Sequence, residues 1–352
     1  MNSESLIDET IALHKRFWNR ELREPIINTQ FSLANRLNRL MDYGKSVLHE
    51  DWMDKDGLLL EPEMLVPDRH QRFLEYDTPT PPVCGPDFDT IFPWTLVPWL
   101  TGIVGCKVRV ATVGQTIWPE ETLGPDWFHE ENMGLKPNKK WLAKLLEFTS
   151  YLVKKYHPRC AVTLEMFSRG PGDLLLNLMG TEKAYLAMYD HPDELKGLLS
   201  GLTDIHIEWA KAQLALIPRI KGGYCSHWGI WAPGTFTRIQ EDFSITMSKK
   251  AFFEFLMPCA KRIVDATDYQ VFHTHSGAPQ LGQWLTELEG LKAVEVTLDP
   301  YGPSVTESIP FWNRILEKKP LIISAKLTEE QLKLLVSNLQ PNGLVLDIDL
   351  TH

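Results

Sequence analysis

From about Cys106 onward, short apolar runs alternate with longer stretches whose apolar residues recur at helical spacing. The runs VRVATVG (108–114), AVTLEMF (161–167), IKGGYCSH (220–227), QVFHTHS (270–276), KAVEVTLD (292–299), LIISAKL (321–327) and LVLDIDL (344–350) read as seven strands. An eighth fits within 115–138. Amphipathic patterns over 139–156, 171–217, 248–267, 279–289, 305–318 and 328–339 read as helices between them. Strands that are apolar nearly throughout, each followed by a helix, imply a parallel sheet covered by helices on its faces. The 247 residues of 106–352 match the ~250 that close one barrel. The pattern predicts an α/β protein, a (β/α)8 TIM barrel over 101–352. Residues 1–100 form an N-terminal helical and irregular extension packed on it. Helical spacing in IALHKRFW and FSLANRLNRLM marks the first 50 residues, and 51–90 are rich in Pro and Asp. A doubly wound open sheet is the alternative, but no GxGxxG follows the first strand and no Walker A sequence occurs.

Composition narrows the partners. A formal charge of −10 argues against nucleic acid and against an anionic membrane surface. The polar start MNSESLIDETIALHKRFW lacks the apolar core of a signal peptide. Cys84, Cys106, Cys160, Cys225 and Cys259 are scattered and odd in number, which fits a reducing, cytoplasmic setting. The 17 residues from Thr90 to Cys106 carry no charge, but two prolines and a short length make a buried segment of them rather than a span. Nothing in the pattern fixes the oligomeric state, so a homodimer stays open.

Two strand-like stretches each place two metal-capable side chains two residues apart, Cys225 with His227 and His273 with His275. Side chains at i and i+2 of a strand share a face. Both pairs sit at carboxyl ends, where parallel α/β sheets bind ligands. His273 and His275 are candidate metal ligands, completed by Asp347 or Asp349 from the last strand, with Cys225 or His227 as a further option. Glu165, Arg169, Glu295, Asp299 and Lys326 also lie at strand ends. Glu241 and Asp242 fall in a loop near the same mouth, and either could bind a ligand or the metal. Glu241, His227 and Cys225 are the candidates for the chemical step. Trp228 and Trp231 could wall a flat or cationic ligand. So could rings of the Trp-rich segment 94–128, in a chain with twelve tryptophans. Arg169 and its neighbouring glycines could hold an anion at a helix start.

At these residues the chain resembles the uroporphyrinogen decarboxylase superfamily. The stretches RIQEDFSITMSKKAFFEFLMPCAKRI (238–263), VFHTHSGA (271–278) and LIISAKLTEEQLKLLVSNLQPNGLVLDID (321–349) carry the resemblance. DLLLNLMGTEKAYLAMYDHPDELKGLLSGLT (173–203) adds a weaker match. The resemblance implies a (β/α)8 barrel and one of two activities. One branch decarboxylates uroporphyrinogen without metal, through an Arg-rich N-terminal motif that NRELREP and ANRLNRL do not match. The other consists of zinc-dependent methyltransferases that work with corrinoid proteins. Its coenzyme M type carries H-x-C on one strand and Cys on the last, whereas here His275 replaces the Cys and Asp347 and Asp349 stand on the last strand.

The resemblance therefore implies a zinc site on His273 and His275, completed by Asp349, Asp347 or Glu241. It implies methyl transfer between a small methylated substrate and the corrinoid (cobalamin) of a partner protein. The substrate would be a methoxyaromatic, a methylamine or a thiol. Harder ligands than thiolate favour activating oxygen or nitrogen. A tetrapyrrole decarboxylase and a non-catalytic corrinoid- or tetrapyrrole-binding protein are the alternatives.

Overall fold

The computed structural model describes residues 3–29, 52, 55–71, 83–84, 86–93, 97–111, 113, 116–129 and 135–351. Its centre is a six-stranded parallel sheet. In chain order the parallel strands are β1 (Ile26–Asn28), β2 (Thr90–Ile91), β3 (Ala161–Val162), β4 (Phe236–Gln240), β5 (Tyr269–His275), β6 (Ala293–Thr297), β7 (Leu321–Leu327) and β8 (Leu344–Leu350). The large sheet runs β1-β8-β7-β6-β5-β4, and β2 pairs with β3 in a separate parallel ladder. A parallel bridge between Arg169 and Gln240 joins the chain after β3 to β4. At the other edge the Asn28 amide donates to the Asp87 carboxylate, just before β2.

The strands form where side chains are buried on both faces. FTRIQ in β4 is buried at every position, and LVLDIDL in β8 at all but the last two. Helices cover them through the apolar stripes anticipated from the sequence. Lys139–Tyr156 starts at Asn138, whose side chain accepts from the Lys140 and Trp141 amides, and buries Trp141, Leu145, Phe148 and Leu152. Ser304 and Thr328 each open a helix with a reciprocal capping box. Ser248 caps its helix as the TMSKKAFFEF pattern implies.

The helices expected over 171–217 are three: Pro171–Met179, Thr181–Asp190 and Pro192–Leu214. The first 50 residues hold one described helix, Ser3–Trp18, and the second expected helical stretch, FSLANRLNRLM, begins beyond the described residues. Along the described part of 90–106, Ile91, Phe92, Trp99, Leu100 and Ile103 are buried. No described helix is long and apolar enough to cross a membrane.

Three strand expectations need correction. The 108–114 run is Lys107–Ala111, the middle of an antiparallel sheet between Leu59–Leu60 and Thr116–Glu120. Its burial alternates along the strand, as expected of a sheet with one solvated face. The eighth strand sought in 115–138 is this antiparallel partner. The 220–227 run is strand only at Tyr224–Cys225, paired antiparallel with Trp231–Ala232. The parallel strand in that region is β4, within a stretch that read as loop. Strands also begin earlier than the pattern suggested, since β1 and β2 lie before residue 100 and both join parallel ladders.

Candidate metal centre

Four neighbouring strands each send an i, i+2 pair into one cavity. β4 gives Arg238 and Gln240, β5 gives His273 and His275, β6 gives Glu295 and Thr297, and β7 gives Ser324 and Lys326. The ladder register sets them side by side: Gln240 with His273, His273 with Glu295, His275 with Thr297 and Thr297 with Ser324. The cavity holds about 400 Å³, and Met166, Phe167, Trp228 and Leu298 supply its apolar wall.

The two imidazoles are held from behind. His273 Nδ1 bonds the Glu295 carboxylate, and His275 Nδ1 lies 2.7 Å from Asp299 Oδ1. A carboxylate only accepts, so each Nδ1 carries a proton and, in the neutral ring, each Nε2 presents a lone pair. These Nε2 atoms face each other at 3.2 Å. Asp242 Oδ1 joins them, 3.4 Å from His275 Nε2 and 3.8 Å from His273 Nε2. This oxygen is buried and has no neighbouring donor besides the two imidazoles, while Gln240 Nε2 fixes its twin Oδ2 at 2.6 Å.

Three electron-pair donors aimed at one point require a cation or a proton between them. Ligands ~2.0–2.1 Å from a tetrahedral ion stand about 3.4 Å apart, close to the spacing observed. Asp242, His273 and His275 therefore fit a divalent metal ion as they stand.

Without metal, a proton takes that place. Hydrogen bonding to Asp242 raises the His275 pKa from 6.5 to about 9, against burial and with help from Asp299. Burial and the Arg238 charge keep His273 below its ordinary value. Burial opposes the Asp242 charge, yet His275 and His273 hold its carboxyl well below the usual range. A raised folded pKa means that the imidazolium stabilises fully below about 6.5 and that this contribution disappears as pH rises through about 9. Metal must displace the proton. Zinc added to chelator-stripped protein near neutral pH should release about one proton from this site, and almost none above pH 9 or so. Titration calorimetry in buffers of differing ionisation enthalpy measures it; equal release at both pH values would remove His275 from the site.

The other expected site residues lie elsewhere. Asp347 is in register with Ser324, and Asp349 with Lys326, but neither belongs to the His–His–Asp cluster or the cavity lining. Asp347 is paired on its far side with Asn28. The strand carrying Cys225 ends at that residue and the chain turns, so Cys225 and His227 do not share a strand face. Cys225 packs with Ile11, Phe88, Ala161 and Trp231, and burial pushes its thiol well above its ordinary pKa, away from a nucleophile's range. His227 is buried against Phe92, Trp228 and Phe236.

Glu241 also faces away from the cavity. Its carboxylate accepts from the Asp173 amide at the start of the Pro171–Met179 helix, and burial raises its pKa. The anion seat expected beside Arg169 is thus filled from within the chain. Arg169 is half-buried and not among the lining residues.

Trp231 belongs to the satellite cluster, its indole donating to the Ile220 carbonyl at 2.7 Å. Of the Trp-rich segment, Trp99 and Trp127 are core, Trp118 is 65% exposed, and Trp94 lies outside the described residues. Trp228 does line the cavity and donates to Ser324 Oγ at 3.2 Å. It is only 3% exposed, so its ring is part of the packed wall. Trp228→Ala should cost about 3–5 kcal/mol, as buried aromatic truncations do, along with ligand affinity. Urea unfolding checks this; a loss below about 1 kcal/mol would show the ring to be loosely packed.

Glu295 and Asp299 were noted in the sequence only as strand-end acids. Their role as imidazole supports follows from register, which the motif alone does not carry.

The fold and the cavity define an α/β protein with a ligand cavity at the carboxyl ends of parallel strands. No protein-family model and no curated protein sequence matches the chain. Among solved structures, a methyltransferase from Methanosarcina mazei is similar to it, with a TM-score of 0.58 and 13% identity, over 96% of this chain and 92% of that one. The likeness is one of fold.

Proposed function

We propose that this chain is a zinc-dependent methyltransferase of the uroporphyrinogen decarboxylase superfamily. It moves a methyl group between a small methylated substrate and a corrinoid carried by a partner protein. The carrying observation is the convergence of two Nε2 lone pairs and the Asp242 oxygen, with both imidazoles oriented from behind by carboxylates. The likeness in fold to a methyltransferase supports the reading. So do eight parallel strands, six in one ladder and two in another, linked by the Arg169–Gln240 bridge. We infer that they are the staves of a closed (β/α)8 barrel, with the Asn28–Asp87 contact at the seam.

In this reading His273, His275 and Asp242 hold zinc. Bound there, zinc supplies a Lewis acid that polarises the substrate heteroatom. Glu295 and Asp299 keep both rings in the tautomer that exposes Nε2. Gln240 keeps Asp242 turned inward. Trp228, Phe167, Met166 and Leu298 exclude water and cover the apolar part of the substrate. A nitrogen, nitrogen and carboxylate shell leaves more charge on the ion than thiolates do, which favours a methyl ether or methylamine over a thiol.

Metal analysis of protein purified without chelator, followed by transfer assays, tests the reading. Near-stoichiometric zinc is expected, with methylcobalt formation on a reduced corrinoid from methoxyaromatic or methylamine substrates. Protein that takes up no zinc when it is supplied would point to a metal-free decarboxylase or a binding protein.

A further inference from the structure

The charges around the cavity point to the kind of substrate it takes. Two acidic side chains, Asp242 and Glu295, and two basic ones, Arg238 and Lys326, line it, and they balance. A divalent ion on the histidines adds two positive charges to the lining itself, with Asp299 behind His275 and Asp349 beside Lys326 flanking it from outside. A cavity with an apolar wall then carries excess positive charge that water screens poorly.

The two basic residues differ in what they are free to do. Arg238 is buried, and its Nη1 is committed to the Met166 carbonyl at 2.8 Å and the Gln240 side chain at 2.6 Å. Burial opposes its charge, while Glu295 and Asp242 favour it. Lys326 is exposed at the carboxyl end of β7, on the same strand face as Ser324, and no ion pair holds it among the described residues. Ser324 itself receives the Trp228 indole. An exposed lysine thus lines one cavity with Trp228 and three converged metal ligands.

We infer that the substrate is a small carboxylate, its acid group received by Lys326 and its O- or N-bound methyl presented toward His273, His275 and Asp242. This rests on the metal reading above, because the excess charge comes from the ion. Lys326 is a specificity residue in this assignment and takes no part in bond making.

The test compares matched probes that differ in the acid group. 3-Methoxybenzoate is set against 3-methoxybenzyl alcohol, and glycine betaine against choline, on zinc-supplied protein by titration calorimetry. At least one carboxylate should bind about 10-fold or more tighter than its partner, the size one charge-assisted hydrogen bond gives. Lys326→Met should erase that preference by weakening the carboxylate, without weakening the alcohol or choline, and Lys326→Arg should keep most of it. The two pairs also tell an ether-bearing body from an ammonium-bearing one.

The inference is overturned if no carboxylate binds, if each neutral or cationic partner binds as tightly, or if Lys326→Met keeps the preference. Zinc content is read on the same preparations. A zinc-free protein that still prefers the carboxylate through Lys326 removes the metal reading and keeps the subsite. A zinc-loaded protein indifferent to the carboxylate removes the subsite and keeps the metal.

Discussion

His275→Ala should leave a folded protein that, on the proposed metal reading, neither retains zinc nor transfers methyl groups. The ring contributes one of three donors, and two donors left at the carboxyl end of β5 do not make a catalytic site. Its removal frees Asp299, which is partly exposed and can turn to water. Asp242, however, loses the imidazolium that supports its charge, so stability at neutral pH should fall, and the loss should shrink as pH rises toward about 9. His273→Ala should lose the metal equally and be harder on the fold. Glu295, its partner, is 1% exposed. Burial works against that carboxylate's charge, while His273 and Arg238 hold it low. Removing the imidazole leaves a buried acid without its main hydrogen-bond donor, at a cost of about 3–5 kcal/mol. Metal analysis and thermal unfolding of the two variants separate these effects. Full zinc occupancy in either variant would refute the site.

The parts of this site that the sequence made legible are those set by strand parity. β5, β6, β7 and β8 stand out because both of their faces are buried, so their apolar runs are nearly unbroken. Parity then puts His273 and His275 on one face without any knowledge of the neighbours. The same argument fails at Cys225 and His227 because the strand stops between them. The local sign was Gly229, which adopts a φ of +76° and whose added Cβ would lie 2.5 Å from the Phe88 carbonyl. VRVATVG misled for a related reason. A short alternating run carries the same residues in an antiparallel hairpin as in a stave, and only its pairing with Leu59–Leu60 and Thr116–Glu120 decides.

The third ligand shows the limit more sharply. Asp347 and Asp349 have the right parity and sit at the right end of β8, but β7 stands between them and β6, and β6 in turn separates β7 from the histidines. Asp242 comes instead from the turn after β4, the strand on the histidines' other side. Glu241 and Asp242 look equivalent in sequence. A contact across some seventy residues assigns them, as Glu241 goes to the helix that begins at Pro171 and Asp242 to the cavity.

That contact yields the other large effect, expected from Gly170→Ala. Gly170 and Gly172 flank the helix start on which the Glu241 carboxylate rests. Asp173 answers it by accepting from the Phe243 amide at 2.9 Å, so helix and turn clamp each other on both sides of Asp242. A Cβ at Gly170 would lie 2.8 Å from the Gln240 carbonyl oxygen and closer still to the Glu241 carboxylate. Because part of the obstacle is backbone, no side-chain rotation relieves it, and the turn has to move. Overpacking of this kind costs about 1–3 kcal/mol.

The displaced residues adjoin Asp242, so zinc affinity should drop as well, by about 10- to 100-fold, as when a ligand's support is lost. Gly197→Ala is the control. It lies in the Pro192–Leu214 helix with nothing within 4 Å of the added methyl, and should stabilise by roughly 0.5–1 kcal/mol. Urea unfolding gives the first quantity, and competition with a chromogenic chelator the second. If Gly170→Ala is destabilised yet binds zinc as tightly as the parent, Asp242 is held by Gln240 alone. The buried Glu241–Asp173 clamp would then serve the fold and not the metal.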